Sequence, residues 1–192
     1  MGFYMQRAAS SWLEKHKANQ GFTLIELMVA IAIAAILLVV GIPSMARFIA
    51  DTRVSTSVNG FVGAMSMARS EAIKRGRLVT ICRSVNAESG TTGCTSGGDW
   101  SSGWLVYVEN SSSSSIGSYD TAEEVIFRQG ALPSSLTVST AVNAITFNGS
   151  GEPIGGFASA GFNFNASGDF ARQICIARSG RVKVIRDATV CP

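Results

Sequence analysis

Histidine is nearly missing from this chain. One occurs among 192 residues, His16, inside a short basic N-terminal stretch. Beyond it a His-dependent triad or a His-ligated metal site cannot be built, which argues against most hydrolase and zinc chemistry. Charge is also scarce, at 15% against 46% hydrophobic residues. There is no Cys-x-x-Cys pair, and Gly149-Ser150-Gly151-Glu152-Pro153-Ile154-Gly155-Gly156 lacks the Gly-Lys-Ser/Thr end of a phosphate loop. That stretch reads instead as a hairpin connection. No carboxylate pair or serine has a partner completing a catalytic unit. The expectation is therefore a chain with no catalytic residues, no metal and no cofactor.

What is present begins with an apolar run from Phe22 to Ile42, broken by one charge, Glu26. About 20 residues suffice to cross a bilayer as a helix. An acidic residue in such a segment costs roughly 2.5–3.5 kcal/mol at its centre and less near its end. A plain anchor has no reason to carry it. The candidate partner lies four residues upstream: a cut between Gly21 and Phe22 would free an amine able to neutralise Glu26 of the same or a neighbouring subunit.

Gly21-Phe22-Thr23-Leu24-Ile25-Glu26-Leu27 resembles the class III signal of type IV pilins and type II secretion pseudopilins. The shared features are a basic leader, Gly-Phe at the junction, Glu on the fifth residue after it, then an unbroken apolar run. The resemblance implies cleavage after Gly21 by a prepilin peptidase, methylation of the new Phe22 amine, and use of Glu26 in docking subunits. It also implies an inner-membrane protein, in contact with lipid until assembly, with its globular domain in the periplasm. The destination would be a periplasmic or surface filament containing other major and minor pilins or pseudopilins. Two other readings remain: an uncut signal anchor, and a secretory signal peptide cut after Ser44-Met45-Ala46. The mature N-terminus separates the readings: Phe22 for the pilin-like one, Arg47 for the signal peptide.

Pro43 ends the apolar run and is expected to bend the helix. Beyond it Phe48, Ile49, Val54, Val58, Phe61, Val62, Met65, Ala68, Ala72 and Ile73 recur at spacings of three and four. This predicts one helix from about Ile25 to Arg75, lipid-facing and then domain-packed, stopped by Gly76. Gly60 and Gly63, costly inside a helix, suggest close approach of a sheet. After Gly76 the period becomes two. Strands are expected at 77–82, 103–108, 124–128, 136–138, 144–147, 162–164, 174–176 and 182–185. The fold class is α+β, a long N-terminal helix on an antiparallel β domain. Its parts are a leader (1–21), a membrane half-helix (22–43), an amphipathic half-helix (44–76) and a β domain (77–192). Trp100 and Trp104 are expected in packing against the helix.

Cys82, Cys94, Cys175 and Cys191 form two local pairs. Three connectivities are possible, and proximity favours Cys82–Cys94 and Cys175–Cys191. Ala68–Gly76, Val79–Cys82, Trp100 and Gly103–Val106 look like the GspH/FimT/FimU branch of minor pseudopilins and minor pilins. Charge is sectional: residues 84–170 carry eight acids against Arg128, whereas 171–192 hold five Lys/Arg against Asp187. Gly180-Arg181-Val182-Lys183-Val184 is similar to the basic Gly-Arg-x-Arg tail of FimT proteins linked to DNA uptake, with Lys183 replacing an arginine and its bidentate fork. Arg178, Arg181, Lys183 and Arg186 thus suggest a second function, DNA binding through phosphate contacts. The same charges also suit a solvated strand edge kept from aggregating.

Overall fold

A computed structural model of the chain describes residues 21–85, 87–90, 93–97, 99–110, 116–155, 160–166, 171–186 and 191. Helix α1 spans Leu24–Arg75 and includes Pro43. The chain divides at Pro43 into two units. In the second, Val54, Val58, Phe61, Met65, Ala68 and Ala72 are buried. Their alternating spacing of four and three keeps one stripe of the helix turned to the core. Gly76 ends α1 at φ +59°, and the Arg77 N–H donates to the Ala72 carbonyl at 3.3 Å. That closes the last turn as a left-handed glycine cap.

Among the described residues nine short strands follow, all paired antiparallel. β1 (Val79–Arg83), β2 (Trp104–Val108), β3 (Glu124–Gln129), β5 (Ala144–Phe147) and β6 (Pro153–Ile154) form a sheet ordered β3-β2-β1-β5-β6. β4 (Leu136–Ser139), β7 (Ala160–Ala166), β8 (Ala171–Ile176) and β9 (Val182–Arg186) form a second sheet, ordered β4-β7-β8-β9. Both sheets supply the core that the helix stripe enters: Ile81, Val106 and Phe147 from one, Val138, Phe162 and Ile174 from the other. Phe61 is its aromatic centre. Its ring lies 5.4 Å from Trp100 and 5.1 Å from Trp104, both edge-on, and 4.8 Å from Phe162.

The outer face of the first sheet carries a smaller cluster of Cys82, Leu105 and Tyr107, packed by Cys94, Tyr119 and Val125. The buried Glu109 organises its polar side. Its Oε1 accepts from Thr80 Oγ1 at 2.6 Å, the Gly117 N–H at 2.8 Å and the Tyr107 hydroxyl at 3.2 Å. Burial, then the charges of Glu109 and Glu123, push the ionisation of Tyr107 well above the usual phenol range. At the end of α1, Arg75 joins Glu71 (2.9 Å) and Glu124 (2.6 Å). Hydrogen bonds from Lys74 and Arg75 hold the Glu71 carboxyl below its ordinary value, and Arg75 does the same to Glu124.

Both expected disulfides form, Cys82–Cys94 and Cys175–Cys191. A closed loop of about 15 residues contributes roughly 3 kcal/mol in the chain-entropy model. The eight expected strands are present within a residue or two, except that β1 starts two residues late and β7 and β8 start earlier, β8 by three. A ninth, β6, falls inside the stretch read as a hairpin connection. It pairs with β5 through Thr146↔Ile154 and Phe147↔Pro153, so the hairpin itself is correct. Two packing expectations are corrected. Gly60 and Gly63 are exposed, with no atom within 4 Å of where a Cβ would stand. Ala64, Ala68 and Ala72 are the small residues that meet the core. Phe48, Ile49 and Ile73 are exposed as well, because buried positions start at Val54 and Ile73 lies off the stripe.

Opposite stability effects on the same helix test this packing. Phe61→Ala should cost about 3–5 kcal/mol in chemical denaturation. Gly63→Ala should gain up to about 1 kcal/mol, since only helix propensity changes. A loss of stability in Gly63→Ala would show that the helix face is covered.

Candidate functional site

Two regions hold the residues that the sequence singled out, and each is built locally. At the N-terminus, Gly21, Phe22 and Thr23 precede α1. Thr23 Oγ1 accepts the Glu26 N–H at 3.3 Å, and the Thr23 carbonyl accepts from Leu27 at 3.2 Å. Thr23-Leu24-Ile25-Glu26 is thus a Thr-x-x-Glu capping arrangement, a pattern legible in the sequence. Glu26 sits in the first turn, where the helix dipole favours a negative charge. Among the described residues its carboxylate has neither a hydrogen bond nor an ion pair. Gly21 and Phe22 are exposed.

From Leu24 to Ile42 the side chains are apolar or small on all sides apart from Glu26, and none is buried within the protein. A helix without a polar face needs lipid or other apolar helices around it. Among the described residues this is the one helix long and apolar enough to cross a membrane.

The second region is the β8–β9 hairpin. The Ala177 N–H donates to the Arg181 carbonyl at 2.9 Å and the Gly180 N–H to the Ala177 carbonyl at 2.8 Å. Gly180 takes φ +74°, and a Cβ there would collide with the Gly151 carbonyl oxygen. Arg69 of α1 fastens the two turns. Its Nε donates to the Gly151 carbonyl and its Nη2 to the Ser179 carbonyl, each at 2.9 Å. Sequence reasoning left Arg69 unassigned; a lone helical arginine gives no signal of two distant carbonyls.

The strand register sorts the cations. Val184 stands opposite Ile174 and Val182 opposite Ile176, both core residues, so Val182, Val184 and Arg186 share the core-side face. Arg181 and Lys183 share the other face, with Arg178 in the turn between the strands. The structure therefore puts Arg181 and Lys183 on one face, with Arg178 in the adjoining turn, and sets Arg186 apart, opposite Arg172. All four are exposed, and β9 is the edge of its sheet. No carboxylate among the described residues pairs with any of them. Arg172 is occupied instead, donating to Asp51 at 2.6 Å and to Ser55 at 3.3 Å. Among the described residues no three His, Cys, Asp or Glu groups gather as a metal site.

Comparison with known proteins bears on the family and the fold. Residues 57–180 match the family model described as type II transport protein GspH, and residues 16–42 match the prokaryotic N-terminal methylation motif. No curated protein matches the chain. Among solved structures, two crystal forms of the Pseudomonas aeruginosa type IV minor pilin FimU share the fold. They are 18% and 19% identical, with TM-scores of 0.51 and 0.53. The matches cover 72% and 78% of this chain and 99% and 100% of FimU. The minor pseudopilin EpsH of the Vibrio cholerae type 2 secretion system is also similar, at 11% identity and TM-score 0.46, over 70% of this chain and 97% of EpsH. The GspH model covers well over half of the chain, and the methylation motif falls on the Gly-Phe junction and the apolar helix. The chain belongs to the GspH family, a structural, non-enzymatic minor pilin or pseudopilin of a type IV pilus or type II secretion system.

Proposed function

We propose that this subunit is delivered to the bacterial inner membrane by its apolar helix and cut by a prepilin peptidase between Gly21 and Phe22. It is then methylated on the Phe22 amine and drawn into a filament with other major and minor pilins or pseudopilins. In this reading residues 1–21 are the leader, 22–43 cross the membrane, and the domain from Ser44 onward stands in the periplasm. Glu26 carries the proposal. It is the lone charge of the helix segment before Pro43, which has no polar face, and no group among the described residues neutralises it. The Phe22 amine of an adjacent subunit supplies that charge only when subunits pack side by side. Glu26 thus guides docking, while lipid surrounds the helix before assembly. The two disulfides suit a domain that folds outside the cytoplasm.

Mass spectrometry of the mature N-terminal peptide tests the processing. It should begin at Phe22 with one added methyl group, and a mature chain beginning at Arg47, or an uncut one, would refute it.

A second reading gives the basic hairpin a role in DNA uptake. Arg178, Arg181 and Lys183 stand exposed on an edge hairpin without carboxylate partners among the described residues, and phosphate contact needs no base-specific geometry. Arg186 contributes less to such a surface, since it lies on the other face. In a mobility-shift titration of the full chain, Arg181→Glu with Lys183→Glu should weaken DNA binding at least about tenfold, and salt should weaken the unaltered protein steeply. Binding indifferent to both would leave these charges as protection of the strand edge.

A further inference from the structure

Each sheet has two edges, and an edge strand offers peptide groups to another chain unless something blocks it. Three of the four edges carry a block. β6 is two residues long and starts with Pro153, which has no N–H to give. β3 is bulged at Ile126: Val106 pairs with Phe127 and Tyr107 with Val125, which interrupts the ladder. β4 is closed by Asp99, whose Oδ1 accepts the Val138 N–H at 2.6 Å. β9 has none of these devices. Its five residues pair with β8 in unbroken register and include no proline. No strand among the described residues lies on their other side.

The hairpin decides which groups that edge presents. The Ala177 N–H meets the Arg181 carbonyl, and hydrogen-bonded and non-bonded pairs then alternate along an antiparallel ladder. Cys175↔Lys183 and Gln173↔Ile185 therefore spend their peptide groups between the strands. Val182, Val184 and Arg186 turn theirs to the free edge. The two faces of the edge differ in chemistry. On the core side Val184 is 42% exposed although it stands opposite the fully buried Ile174, so the apolar layer ends before covering it. On the outer side Arg181 and Lys183 are exposed, with no carboxylate partner among the described residues. Charge is thus the only guard on β9, and a charge that repels its like selects its opposite.

We propose that β9 is a docking edge for an extended segment of a different polypeptide, running antiparallel and alternating acidic with apolar residues. Its main chain bonds to the N–H and C=O groups that Val182, Val184 and Arg186 turn outward. Its apolar side chains continue the layer over Val184, and its carboxylates stand across from Arg181 and Lys183. A second copy of β9 does not fit, because Arg181, Lys183 and Arg186 would then face the same cations. DNA would use the cations and leave the peptide edge and Val184 idle. The site does not depend on which filament the subunit joins.

The test uses the full chain in phosphatidylcholine nanodiscs and fluorescein-labelled Gly-Glu-Val-Glu-Val-Glu-Gly, followed by anisotropy. Antiparallel to β9, the two valines stand opposite Val184 and Val182, and the later glutamates opposite Lys183 and Arg181. This peptide should bind saturably, and one with the same residues in blocks, Glu-Glu-Glu-Val-Val, at least about tenfold more weakly. Methylating both valine nitrogens should abolish binding, since those N–H groups enter the ladder, whereas methylating the glutamate nitrogens should leave it within about twofold. Arg181→Glu with Lys183→Glu should weaken the peptide at least about tenfold and take up its Lys-Val-Lys-Val-Lys counterpart instead. Val184→Pro, tolerated on an edge whose N–H faces solvent, should lose the peptide with the melting temperature held. Equal binding of the blocked or the valine-methylated peptide would reveal charge attraction alone, of the kind DNA phosphates exploit, and overturn the proposal. So would no saturable binding at millimolar peptide.

Discussion

The domain depends on one side chain of the helix, Phe61, meeting aromatic rings from both sheets at once. Trp100 and Trp104 approach it from around β2, and Phe162 and Phe164 from β7. Neither sheet alone encloses a core, because each has an apolar face that must be covered. The helix stripe from Val54 to Ala72 covers both. Around that centre the other ties are polar and local: Arg69 to the Gly151 and Ser179 carbonyls, Arg172 to Asp51, and Arg75 to Glu71 and Glu124. They fix where the hairpins lie against the helix. Their exposed members contribute little energy individually.

The same helix changes its demands along its length. Beyond Val54 one stripe is apolar and its needs are met within the chain. Before Pro43 it is apolar on every side apart from Glu26, and none of its described side chains is buried. A subunit built this way is satisfied in a membrane or in a bundle of like helices and nowhere else. In the proposed assembly Glu26 would discriminate between those two environments. A charge in lipid is a cost, whereas one beside an opposite charge is an attraction in a medium of low dielectric.

Most of the architecture was legible in the sequence because the two periodicities are clean. Spacings of three and four marked the core stripe of α1, and alternation marked eight strands. β6 escaped because two residues, Pro153 and Ile154, are too few to show a period; only their pairing with β5 makes them a strand. Gly60 and Gly63 were misread from residue type alone. At 100° per residue they fall roughly 100° and 160° away from Phe61, on the outer side of the helix, so the wheel already opposed contact with a sheet. Of the candidate sites, the Gly-Phe-x-x-x-Glu signal was readable because its chemistry is contiguous. The division of the basic tail, with Arg186 turned away from Arg181 and Lys183, needed the register against β8. The indole of Trp104, without an acceptor among the described residues, could not be read at all, since a missing acceptor is a property of space.

The most direct measurement is the distribution of a Glu26→Gln variant between membrane and sheared filament fractions, compared with the unaltered protein in the same cells. Glutamine keeps the size and polarity of the side chain and removes only the charge. The account predicts a chain that is still cut at Phe22 and retained in the membrane but depleted at least about tenfold from filaments, as expected when a low-dielectric charge pair is lost. A Glu26→Gln chain that enters filaments at the unaltered level would contradict it.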